Sequence, residues 1–113
     1  MNELKKELLA ALKEYVGDNK DSKAKMVNVL LKNLPTHCEE LLNAIKNQSW
    51  KEVKFYAHKT KYSFKILNMQ EEMAKLEKME KINEDTADVF TVKRAYAEVE
   101  HKSNLICQAL KEI

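Results

Sequence analysis

The chain has 113 residues, 34% of them charged, a net charge of +2, and only one Gly and one Pro. That length suits one domain, residues 1–113, with about two-thirds of its unfolded surface buried, and the dominance of helix formers over breakers makes the fold class all-α. Nineteen of the twenty basic residues are Lys, which argues against a nucleic-acid reader; no apolar run approaches the ~18 residues of a membrane span, and no secretory signal follows Met1, so a cytoplasmic protein with no membrane partner is expected.

The first helix is expected from about Asn2 to Val16, with Leu4, Leu8, Ala11, Leu12 and Tyr15 on one face. Gly17 is placed to end it in a left-handed conformation, and the polar turn Asp18–Asp21 supplies caps for the next helix. The second helix spans about Asp21 to Asn47, with an apolar stripe of Val27, Leu30, Leu31, Leu34, Cys38, Leu41, Leu42 and Ile45. Pro35 removes a backbone donor in its middle. The stripe keeps its phase through Pro35, which favours one kinked helix; Thr36-His37-Cys38-Glu39 fits a capping box and signals a fresh start instead.

After Asn47-Gln48, Ser49-Trp50-Lys51-Glu52 reads as a capping box, in which the Ser49 hydroxyl accepts from the Glu52 amide. The third helix therefore runs from Trp50 to Leu67-Asn68, with Asn68 as a left-handed cap. Trp50, Val53, Ala57, Thr60, Phe64 and Leu67 recur at steps of 3, 4, 3, 4 and 3, the spacing of an inward stripe. A fourth helix is expected over Met69–Ile82, with Met69, Met73, Leu76 and Met79 inward. A loop follows at Asn83–Thr86, capped by Asp85 or Thr86. The fifth helix covers about Ala87 to Lys111, with Val89, Val92, Tyr96, Val99, Ser103, Ile106 and Leu110 at steps of 3 and 4. Short loops between long helices make neighbours antiparallel. The expected architecture is an up-and-down four-helix bundle with an additional N-terminal helix, present as a monomer. Cys38 and Cys107 lie on inward stripes without a CxxC and read as buried free thiols.

His58 stands apart from this pattern. At roughly 100° per residue it lies about 130° from the centre of the third helix's stripe, on the face that points away from the core. Its helical neighbours are Lys51, Lys54, Phe55, Lys61, Tyr62 and Lys65. A neutral imidazole is a nucleophile, and ammonium groups beside it can pair with phosphoryl oxygens. Phe55 and Tyr62, with Lys54 and Lys65, form an exposed apolar and cationic surround suited to partner docking. His37 and His101 lack the convergent ligands that zinc requires. Glu77 and Glu80 read as a solvated face of ion pairs. No Gly-rich nucleotide loop and no P-loop motif occur, so no cofactor is expected.

These residues bear a likeness to a known family. Leu42-Asn43-Ala44-Ile45, then Ala57-His58-Lys59-Thr60-Lys61-Tyr62-Ser63, then Leu67-Asn68, then Leu76 to Glu80 resembles the core of histidine-containing phosphotransfer (Hpt) domains. That family carries A-H-x-x-K-G-S on an outward helix face. The specific motif spans about 24 residues, and the helix order extends the likeness over nearly the whole chain. The resemblance implies a phosphoryl carrier in a multistep two-component phosphorelay, a signal-transduction chain in which phosphohistidine forms at His58 and Lys61 contacts the phosphoryl group. It implies a response-regulator receiver domain and a hybrid sensor histidine kinase as partners, with Mg²⁺ only on the receiver and no kinase activity in the carrier. Glu80 also matches a family position, for which a structural role is expected. Tyr62 and Asn68 stand where the family has Gly. Asn tolerates the left-handed conformation, whereas Tyr62 places a ring about 6 Å from His58. The alternative from another class is a helical adaptor, never phosphorylated, that docks a receiver or other signalling protein through the His58 face.

Overall fold

A computed structural model describes residues 2–113; Met1 lies outside the described residues. Five helices follow one another: α1 Asn2–Val16, α2 Lys20–Lys46, α3 Trp50–Ile66, α4 Gln70–Glu80 and α5 Val89–Leu110. The fold is all-helical among the described residues, and no helix is long and apolar enough to cross a membrane.

α3 packs most extensively against α2 and α4; α5 lies against α2 and more lightly against α4; α1 touches α2 and α5, and α3 least. All five helices feed one buried apolar cluster, which includes Leu8, Leu34, Ile45, Phe64, Leu76 and Ile106. The stripe read from the sequence on α3 is the inward face: Val53, Ala57, Thr60, Phe64 and Leu67 are buried, with Trp50 half-buried at the start. The α5 stripe is buried from Val92 to Leu110. The Tyr96 hydroxyl ties α5 to α2 by donating to the Cys38 carbonyl at 2.9 Å. The buried face of α4 is turned slightly from the expected one. Glu72 is buried and Met73 only half-buried, while Met69, Leu76 and Met79 hold their inward places.

α2 runs without a break through Pro35. The fresh start suggested by Thr36 does not occur, because the Thr36 hydroxyl donates back to the Lys32 carbonyl at 2.9 Å and so serves the turn before it. The true start of α2 is capped by Asn19, which accepts from the Ser22 amide at 3.0 Å. Gly17 takes φ +77 after α1, as its position suggested.

Two connections set the geometry around α3. At the end of α2, the amides of Gln48 and Ser49 donate to the carbonyls of Ile45 and Ala44, each at 3.0 Å. At the end of α3, the amides of Asn68 and Met69 donate to Lys65 and Phe64 at 3.1 and 2.9 Å. Both are Schellman motifs, and each needs a left-handed residue at its centre. Asn68 supplies it at φ 57, as expected, and Gln48 at φ 52. The Ser49 capping box does not form. The Ser49 amide closes the Schellman motif, its ψ of 82 departs from the ψ of 118 at the capping Asn19, and its side chain accepts no capping bond. α5 also begins later than expected. Asp88, rather than Asp85 or Thr86, is the cap, accepting from the Phe90 amide at 3.1 Å and the Thr91 hydroxyl at 2.8 Å. Tyr15 stands half in water rather than in the core, since α1 touches α3 only lightly and leaves its last turn uncovered.

Gln48 has a Cβ and lacks the short polar side chain that eases the left-handed region, so it carries strain that Asn68 largely avoids. Gln48→Gly is expected to raise stability by about 1 kcal/mol and Asn68→Gly by less, read as urea midpoints at unchanged slope. A Gln48→Gly midpoint at or below wild type contradicts this.

Candidate functional site

The α3–α4 turn at Asn68 folds α4 back along α3. His58 lies ten residues before Asn68 and Glu80 twelve after it, so the antiparallel register brings the last residue of α4 opposite the histidine. Glu80 Oε1 lies 2.6 Å from His58 Nδ1. Its other oxygen, Oε2, lies 2.6 Å from Lys61 Nζ, and Lys61 also reaches Glu77 Oε1 at 3.7 Å. His58 and Lys61 are three residues apart on α3, which puts both on the α4 side of that helix. One carboxylate thus joins the two residues singled out in the sequence. The solvated face expected for Glu80 is not what is found, since its side chain is only 19% exposed.

Partial burial by itself pushes the Glu80 carboxyl up. The Lys61 and His58 bonds, with the charges behind them, outweigh it and hold the carboxyl below its ordinary value. The Lys61 ammonium is raised, chiefly through its bond to Glu80. Glu80 is therefore an anion, and an anionic carboxylate only accepts. The hydrogen between it and His58 must sit on Nδ1. In a neutral imidazole with Nδ1–H, the lone pair is on Nε2. His58 is 67% exposed, so this basic nitrogen belongs to an imidazole open to approach.

The remaining site residues spread around this pair. Tyr62 stands one turn beyond His58, and both line a groove of about 430 Å³ between α1, α2 and α3. Phe55 is exposed one turn before His58, with Lys59 Nζ over its ring at 4.8 Å. Lys54 pairs with Glu84 at 3.2 Å. Lys65 lies away from the imidazole, beside Tyr15 and Glu14 of α1. His37 lines the His58 groove, and burial lowers its pKa; His101 is exposed. Among the described residues no group of three or more His, Cys, Asp and Glu is placed to hold a metal ion. Cys38 and Cys107 are free, and burial pushes the Cys38 thiol up to about 11, which makes it a poor nucleophile.

Glu80 as the partner of His58 was missed on reading the sequence, and so were Tyr15 and Val29 in the groove. Folding α4 back on α3 at the Asn68 turn, which sets residues ten before and twelve after it side by side, is the signal that finds Glu80. Nothing comparable finds Val29, whose exposure depends on how α1 and α3 flank α2. No protein-family model, curated protein or solved structure matches this chain.

The lowered Glu80 pKa fixes a sign. The folded state releases this proton more readily than the unfolded chain, so the carboxylate's contribution to stability is complete above the ordinary value of 4.5 and is lost as pH falls through the lowered one. The stability difference between wild type and Glu80→Gln is expected to shrink between about pH 5 and about pH 2. Urea midpoints across that range check it; a difference independent of pH contradicts the ion pair.

Proposed function

We propose that this chain is a phosphoryl carrier of the histidine phosphotransfer type, and that α2 to α5 form the antiparallel four-helix bundle of such a domain, with α1 added against it. The observation that carries the reading is the Glu80 carboxylate on His58 Nδ1, which leaves Nε2 as the nucleophile on an open face. The Hpt resemblance of the residues around His58 supplies the reaction class. The partners are then a receiver domain and a hybrid sensor kinase in a two-component phosphorelay, and the carrier is a cytoplasmic monomer.

The chemistry follows from the geometry. A receiver's aspartyl phosphate is an acyl phosphate. The Nε2 lone pair attacks phosphorus in line, the bond from phosphorus to the aspartyl oxygen breaks, and the carboxylate leaves with the electron pair. The Nδ1 hydrogen stays on the ring, which becomes a phosphoimidazolium. Its new positive charge faces the Glu80 carboxylate, which holds the ring and stabilises that charge as the Asp of a catalytic triad does for its imidazolium. Lys61 holds the far side of the same carboxylate, and an ammonium has three donors. With Glu80 at 2.6 Å and Glu77 no nearer than 3.7 Å, a donor is left for a phosphoryl oxygen. Transfer to a second receiver is the reverse of these steps. Any Mg²⁺ that steadies the aspartyl phosphate comes with the receiver, and the nucleotide chemistry belongs to the kinase. A single Gly in the chain does not supply the Gly-rich loop by which kinases and P-loop proteins cover nucleotide phosphates.

Incubation with phosphoramidate, read by intact mass, tests this. One acid-labile phosphate is expected on the wild type and none on His58→Gln. Glu80→Gln, which keeps the shape but not the charge, is expected to label at least about tenfold more slowly. Label on another residue, or no label on folded wild type, overturns the carrier reading and leaves the docking adaptor.

A further inference from the structure

We infer that Tyr62 is a specificity residue: with the groove it walls, it selects the receiver domain that reaches His58. This rests on the carrier reading above and adds to it the shape of the partner. Three large apolar side chains from three different helices stand in water around this groove: Tyr15 of α1 at 50% exposure, Val29 of α2 at 46% and Tyr62 of α3 at 58%. Exposed apolar side chains scattered singly are ordinary. Three that converge beside one reactive nitrogen, over a floor that includes buried Leu30 and half-buried Ile66, form a docking patch.

The imidazole lies between Glu80 and this groove. Its Nδ1 edge is held by Glu80 on α4, which leaves the opposite edge, with Nε2, for the groove that His58 also lines. Whatever approaches Nε2 meets the Tyr62 ring. A flat surface is held off by a ring rising one turn from the histidine. A convex apolar ridge, such as one face of an amphipathic helix, enters the groove, packs on Tyr62, Tyr15 and Val29, and lets the phosphoryl group descend on Nε2. The occupant is therefore a receiver domain that presents such a ridge next to its aspartyl phosphate. Its charge is complementary as well: an acyl phosphate and its acidic surround meet Lys59 on the groove and Lys61 beside the imidazole.

Where the Hpt pattern has Gly, access to the histidine is open to many shapes. Tyr62 closes it to most of them, and this sets specificity by rejecting wrong partners as much as by holding the right one. Tyr62 is not placed to touch the breaking bond, so its removal should alter partner choice without altering the reactivity of the imidazole.

The experiment uses the full chain as wild type, Tyr62→Ala and Tyr62→Phe; alanine keeps helix propensity where glycine costs about 1 kcal/mol. Each is given two probes: phosphoramidate, small enough to ignore the groove, and a panel of different receiver domains charged with acetyl phosphate. Tyr62→Ala is expected to change the phosphoramidate rate by less than about twofold and to narrow the spread of kcat/KM across the panel by at least about tenfold. Tyr62→Phe, which keeps the ring and loses the hydroxyl, is expected to retain the wild-type spread. A spread unchanged in Tyr62→Ala overturns the inference. So does a phosphoramidate rate that moves in parallel with the receiver rates, since Tyr62 would then act on the imidazole itself. A wild type that takes no phosphoryl group from phosphoramidate overturns the carrier reading, and this inference with it.

Discussion

A carboxylate largely removed from water needs its charge answered, and Glu80 has an imidazole hydrogen-bonded to one oxygen and an ammonium ion-paired with the other, each at 2.6 Å. Breaking such an arrangement at one partner leaves a partly buried charge uncompensated, which costs more than the pair contributes when intact. The geometry therefore resists loosening: the imidazole cannot rotate without abandoning the carboxylate, and the carboxylate cannot turn without abandoning Lys61. The orientation of His58, the identity of its bare nitrogen and the seat of Lys61 all follow from this one group. It also explains why an imidazole that is two-thirds in water is not a free rotor.

What places Glu80 there is backbone geometry some distance away. The Schellman motif centred on Asn68 ends α3, reverses the chain and starts α4 at Gln70 with no slack between. With the connection that short, the register of α4 on α3 has no freedom to slide. Phe64, Leu67, Leu76 and Met79, buried between the two helices and the rest of the core, lock the rotation of each. A register shifted by one residue would turn Glu80 about 100° around its helix and away from the histidine. The site is thus read out from a turn and an apolar interface, neither of which touches the imidazole.

Much of this was legible in the sequence, for reasons that differ between elements. The stripes of α2, α3 and α5 declared themselves because a period of 3.6 sustained over a long segment arises when one face of a helix is buried. The outward face of His58 followed from the same arithmetic, and so did the side-by-side placement of His58 and Lys61. The caps were less legible. Ser49 has the right residue type for a capping box, but its amide is committed to closing α2 and its backbone does not swing the hydroxyl over the new helix. Between Glu84 and Asp88 several residues have the right chemistry to cap α5, and only Asp88 stands where its carboxylate meets the Phe90 amide and the Thr91 hydroxyl. Glu80 looked like one more charge on a solvated helix because its partner lies 22 residues away, beyond any helical spacing. The groove at Tyr15, Val29 and Tyr62 depends on three helices at once, and no single stripe announces it.

The proposed reactivity of the site turns on which imidazole nitrogen carries the hydrogen, and this is directly measurable. Two-bond proton–nitrogen correlation spectra of the ¹⁵N-labelled protein near neutral pH separate a protonated ring nitrogen from a bare one. Neutral His58 is predicted to carry its hydrogen on Nδ1 and to be bare at Nε2, and Glu80→Gln is predicted to release the ring to the Nε2–H form that free imidazole side chains favour. A wild-type His58 already protonated on Nε2, unchanged by Glu80→Gln, would contradict the central claim, because the carboxylate would then not be setting the nucleophile.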